Sequence, residues 1–169
     1  LKNYYKLNSA NIEICGKECD NNPLKIVRHA EDVYTRKKNV GYAFDKVYCV
    51  FDKDGHADYK NAIDAIKKKK PKNLYCAITS VPCFEYWIVL HFKYMTRHFD
   101  RCDKVLSELK KHIPDYAKAN DNIFKKLIHK LDDAKKNAAK ALKEAESLNT
   151  DNPSTNVHEL VEFLQNIKK

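Results

Sequence analysis

Apolar residues change their spacing along this chain. In the first half, short apolar runs alternate with longer segments whose apolar positions recur at threes and fours. Residues 11–15 read as a strand, and 23–38, opened by Pro23, as a helix. The run at 47–52 is the next strand. Residues 59–70 then show helical spacing in Ala62, Ile63 and Ile66, close on lysines that suit a helix C-terminus, and stop at Pro71. A third strand is predicted at 74–79, and Pro82 opens a helix through Tyr94. Strands alternating with helices imply parallel strands joined by right-handed crossovers. From Arg101 onward strand signals vanish, and helices are expected at 101–111, 120–147 and 155–167. The pattern predicts an α/β fold, a parallel sheet flanked by helices (residues 1–98) followed by a helical C-terminal region (99–169).

In the longest of these helices, Phe124, Leu127, Leu131, Ala134, Ala138, Ala141 and Ala145 make one narrow apolar stripe. At about 100° per residue, Lys125, Lys126, Lys136, Lys140 and Lys143 gather on the other face. A solvated face with helical ion pairs from Asp132 and Asp133 explains those lysines. So does a stripe that follows a phosphate backbone, for which Lys125, Lys136, Lys140 and Lys143 are the candidates. The net charge of +9, from 32 Lys and Arg against 23 Asp and Glu, permits a polyanionic partner.

Candidate chemistry begins where the 47–52 run meets Asp52-Lys53-Asp54-Gly55. Side chains two apart on a strand share a side, so Asp52 and Asp54 can converge on one cation. Carboxyl ends of strands are where ligands bind in open α/β sheets, and magnesium prefers carboxylate oxygens. A solvated turn is the plain alternative. Only three glycines occur, so neither a Walker A loop nor a dinucleotide fingerprint can be written. The Asp-x-Asp-Gly opening has a minor likeness to haloacid-dehalogenase phosphatases. Against it, His56 stands where a hydroxylated residue is expected, and Asp132-Asp133 sit inside an alanine-lysine helix rather than at a strand end.

No apolar run reaches the roughly 20 residues that a membrane span needs, so no membrane association is expected. The cysteines at 15, 19, 49, 76, 83 and 102 form no CxxC pair and read as buried thiols of a reducing cytoplasm. Cys15, Cys19 and His29 lack a fourth ligand at zinc spacing. His91 shares a helical face with Phe84, Trp87 and Ile88, which points to a core histidine bonded to backbone.

The segment Ser80-Val81-Pro82-Cys83-Phe84-Glu85-Tyr86-Trp87-Ile88-Val89-Leu90-His91-Phe92 is more specific. Two more blocks accompany it, Val47-Tyr48-Cys49-Val50-Phe51-Asp52-Lys53-Asp54 and Asn152-Pro153-Ser154-Thr155-Asn156-Val157-His158-Glu159-Leu160. Together with Pro114-Asp115-Tyr116-x-Lys118, they resemble in order and spacing the RloB family of bacterial phage-defence proteins. The resemblance implies a TOPRIM-type nuclease core in which Asp52 and Asp54 bind magnesium or manganese, Glu85 joins the metal site and Lys118 assists catalysis. It further implies a cytoplasmic nuclease of abortive infection, acting on RNA, possibly tRNA, in preference to DNA, and paired with an ABC/AAA-type ATPase. The alternative is an inactive core that serves as a docking or regulatory module for such an ATPase. Family members carry a catalytic Glu on a first strand, in a Glu-Gly-x-x-Thr-Glu type segment that this sequence lacks. Residues 1–7 look like the helix that follows it, so the chain is expected to begin after that strand, leaving a hydrophobic edge.

Overall fold

A computed structural model of the chain describes residues 4, 7, 12–16, 22–118 and 122–167. The chain divides into two compact units, one of Glu13–Ile78 and one that joins Leu1–Ile12 to Thr79–Lys169.

In the first unit, helix α1 (Pro23–Asn39) begins with Pro at its first position, and the Asn22 side chain accepts from the Lys25 amide at 3.0 Å. Arg36, Lys37 and Lys38 close it, placing positive charge at the negative end of the helix dipole. Strand β1 (Val47–Asp52) turns Cys49 and Phe51 inward and leaves Val50 exposed. Helix α2 (Tyr59–Lys68) buries Ala62 and Ile66. Helix α1 packs on α2 and β1 around a core of Val27, Cys49, Phe51, Ala62, Ile66, Leu74 and Tyr75. Each large member of that core is worth about 1.5–3 kcal/mol of burial.

Strand β2 (Tyr75–Val81) lies between β1 and β3 (Ser154–Thr155) in the sheet order β1-β2-β3. The β1–β2 pair is parallel. The pairing with β3 is antiparallel, with Ser80 opposite Thr155 and Val81 opposite Ser154. The fold is thus mixed α/β, a small sheet flanked by helices with a helical C-terminal region.

The second unit is mostly helical. Helix α3 (Glu85–Val89) has every side chain buried and packs on α4 (Cys102–Leu109), on α6 (Leu131–Ser147) and on β3. Apart from Glu85 the helix is apolar on all sides, as a core helix is. Helix α5 (Ile123–Leu127) precedes a 3-10 turn at Ile128–Lys130, and α7 (Val157–Asn166) packs on α6. Ala134, Ala138 and Ala141 on α6 are at most 1% exposed, and their small side chains permit close packing.

Four expectations are corrected. The strand expected at 11–15 is irregular from Ile12 to Cys15, and Ile14 is 75% exposed, so the apolar alternation there does not record burial. The helix expected at 82–94 is only Glu85–Val89. Its end is drawn into i−3 bonds at His91 and Phe92, and the Tyr86 hydroxyl donates to the Met95 carbonyl at 2.6 Å, anchoring the segment that follows. The single helix expected at 120–147 is interrupted by the 3-10 turn, which carries the apolar stripe from α5 into α6. Strand character also returns near the C-terminus, at β3. Residues 11, 17–21 and most of 1–7 lie outside the described residues, and with them most of the expected first helix and Cys19. Among the described residues no helix is long and apolar enough to cross a membrane.

Candidate functional site

Asp52 is the last residue of β1 and is half-buried. The strand ends there, so its alternation does not reach Asp54, which lies exposed in the following turn beside Gly55. Gly55 has φ of 77°, in the left-handed region that favours glycine, and the His56 amide closes the turn on the Lys53 carbonyl at 2.8 Å. Lys53 instead lies over the Tyr59 ring, 5.9 Å from its centroid. Asp52 and Asp54 therefore come from a strand end and a tight turn, not from one strand face.

Glu85 has quite different surroundings. It opens α3 and is only 4% exposed. Its Oε1 accepts from the Tyr116 hydroxyl at 3.3 Å and lies 3.4 Å from Lys118 Nζ. A buried carboxylate needs such partners, because an unpaired charge loses its hydration without compensation. Burial, and then the Glu85 charge, push the Tyr116 phenol up to about 12, so it stays protonated and donates. Lys118 itself is 62% exposed, leaving its ammonium within reach of solvent and ligands.

The other oxygen of Glu85, Oε2, lies 3.4 Å from Cys102 Sγ. Cys102 is joined to Cys83 in a disulfide that ties the segment before α3 to the first residue of α4. This corrects the expectation of buried thiols at these two positions. Their Cα atoms stand 5.6 Å apart, within bridging distance, and both are buried. Cys49 is buried, Cys76 half-buried and Cys15 exposed. Among the described residues, the cluster of three ligand-type side chains with atoms within 4.8 Å of one another is Cys83, Glu85 and Cys102.

The lysine candidates are exposed and fall on two helices, Lys125 on α5 and Lys136, Lys140 and Lys143 on α6. Lys140 sits 4.1 Å from the centroid of the Tyr94 ring. Asp132 pairs with Lys135 at 2.8 Å in the first turn of α6, the ion-pair role that a solvated face requires. His91 is a core histidine, its Nδ1 bonded to the Trp87 carbonyl at 3.0 Å, and burial lowers its pKa. Nδ1 is then the protonated nitrogen.

A family model described as RloB-like protein matches residues 1–164. The chain belongs to the RloB-like family. No curated protein and no solved structure matches it. Three of the RloB-like blocks meet within one unit. The block from Ser80 supplies Glu85, the Pro114-to-Lys118 block supplies both of its polar partners, and the Asn152 block supplies β3. Ser80 Oγ and Thr155 Oγ1 are 2.9 Å apart in the buried rung between the first and last of these. Tyr116 and the two cysteines are neighbours of Glu85 that sequence reasoning missed. Tyr116 had a signal, its place two residues before Lys118 in an RloB-like block.

Proposed function

We propose that this RloB-like protein is a metal-dependent nuclease with a TOPRIM-type core, cutting RNA in preference to DNA within an anti-phage abortive-infection system. The observation that carries the reading is the pairing of Glu85 with Lys118. Two residues that the resemblance assigns to one reaction centre, 33 positions apart in sequence, are 3.4 Å apart with the carboxylate buried. Lys118 stays 62% exposed, so its ammonium can reach a phosphate without leaving Glu85.

Asp52 and Asp54 offer hard carboxylate oxygens at partly open positions, the donor set that suits magnesium and leaves room for the waters it keeps. Magnesium, when bound, supplies charge neutralisation at the scissile phosphate and a water of lowered pKa. Lys118 binds a phosphate oxygen, and Glu85 and Tyr116 hold Lys118 in the pose that does so. The basic surface draws in the polyanion. The reading places the protein in the cytoplasm beside an ABC/AAA-type ATPase.

The test is incubation of the full chain with tRNA, single-stranded RNA and DNA in the presence of magnesium or manganese. Asp52→Ala, Asp54→Ala and Lys118→Ala should each lower the cleavage rate on the order of 10²-fold or more while circular dichroism stays unchanged. Cleavage by Asp52→Ala and Asp54→Ala at the wild-type rate would remove the acidic pair from the mechanism. A second reading, a docking module for the ATPase, draws on Val40 and Tyr42, which are 65% and 66% exposed just beyond α1. It predicts no cleavage by any variant and loss of ATPase binding in Tyr42→Asp.

A further inference from the structure

Glu85 Oε2 is an anomaly for a residue only 4% exposed. Its neighbour at 3.4 Å is Cys102 Sγ, and a disulfide sulfur carries no hydrogen to donate. Among the described residues, Oε1 takes both of the side-chain donors that reach this carboxylate, from Tyr116 and Lys118. Among the described residues, this buried carboxylate oxygen thus meets a disulfide sulfur and no donor, a costly arrangement unless something else occupies the space.

We propose that Cys83, Cys102 and Glu85 form a binding site for a zinc-class divalent cation, open when the two cysteines are dithiol and closed when they are disulfide. The donor chemistry selects the ion, since two thiolates favour zinc over magnesium. In a tetrahedral zinc site with Zn–S near 2.3 Å and Zn–O near 2.1 Å, sulfur and oxygen stand about 3.6 Å apart and the two sulfurs about 3.8 Å. The Cys102 Sγ to Glu85 Oε2 separation of 3.4 Å already matches the first edge. The second edge requires the sulfur–sulfur bond to be broken, so bond and ion exclude each other. Reduction by a phosphine supplies the balance. The phosphine takes up the oxygen of one water and becomes phosphine oxide, and the two sulfurs take its hydrogens. Metal binding then displaces both thiol protons.

Charge balance agrees. Two thiolates and a carboxylate around a divalent ion leave one negative charge, which Lys118 offsets from the Oε1 side. A water completes four-coordination, as in open zinc sites. The inference does not rest on the nuclease reading, because metal alone reads it out.

The experiment titrates the full chain with cobalt(II), a spectroscopic stand-in for zinc, after phosphine reduction and under inert gas. The reduced protein should bind a single equivalent with thiolate-to-cobalt charge transfer and the visible bands of a tetrahedral ion, and zinc should displace it. A variant retaining only Cys83 and Cys102 should keep the band. Cys83→Ser/Cys102→Ser should lose it, and Glu85→Gln should weaken binding at least about tenfold, since even outer-shell changes cost that much. Protein with the disulfide intact should not show it. Absence of the band in the reduced wild type, or its survival undiminished in Cys83→Ser/Cys102→Ser, overturns the proposal.

Discussion

Neutralising Glu108 separates an ion cluster that holds the second unit together from one that merely decorates it. Glu108 is 3% exposed on α4, and Lys111, Lys93 and Arg97 approach its carboxylate at 2.7, 3.0 and 3.6 Å. Hydrogen bonds from Lys111 and Lys93 hold the carboxyl at about 2 against an ordinary 4.5, outweighing the opposing effect of burial. That difference is worth about 3 kcal/mol at most. The three cations are 44–64% exposed, so solvent screening reduces it to about 1 kcal/mol. Because the folded-state pKa lies below the unfolded one, the unfolded chain binds the extra proton. The stabilisation is therefore complete above about pH 5 and lost as pH falls toward about 2. Urea unfolding followed by circular dichroism, run from neutral pH downward on wild type and Glu108→Gln, measures it. The stability gap between the two proteins should narrow by about 1 kcal/mol across that window and should also shrink in high salt. A gap that stays constant with pH refutes the argument and makes the cluster a surface contact.

Charge reversal at Lys125, Lys136, Lys140 and Lys143 tests the basic faces of α5 and α6. For each phosphate contact removed, the salt slope of RNA binding measured by fluorescence anisotropy should fall by about 0.7 to 0.9. Wild-type affinity and salt dependence in the quadruple variant would make these lysines solvated surface. Ala138 is fully enclosed on α6, so Ala138→Leu should cost about 1–3 kcal/mol by overpacking, and a thermal melt reads the loss.

How far the sequence could be read depended on what each signal measures. Val47–Asp52 was legible because an apolar run between turn residues is short enough to be a strand and too short for a helix. Pro23 made the start of α1 equally plain, since it acts through local backbone chemistry. The end of α3 was not legible, because a segment buried on every side has no polar face to mark where the helix stops. The 3-10 turn at 128–130 was hidden for another reason, that three residues cannot distinguish a period of 3.0 from one of 3.6. Spacing singled out Asp52 and Asp54 as candidates and the resemblance singled out Glu85 and Lys118, whose pairing only the structure shows. The approach of Cys102 to Cys83 depends on how α4 packs on α3, and cysteine spacing carries no record of connectivity.

Asn156 gives the short C-terminal strand a reach beyond its two residues. Its backbone amide donates to the Thr79 carbonyl at 3.2 Å, and its side-chain oxygen accepts from the Thr79 amide at 2.7 Å. The side-chain amide therefore acts as a substitute peptide group, adding a rung to the ladder where the chain has already turned into α7. In terms of biosynthesis, that rung joins positions 77 apart, so its second half leaves the ribosome well after its first. Glu13–Ile78 is a compact unit of continuous sequence, whereas the end of β2 waits for residues 154–156. Until Asn156 emerges, Thr79, Ser80 and Val81 present an unsatisfied strand edge that is open to wrong pairing.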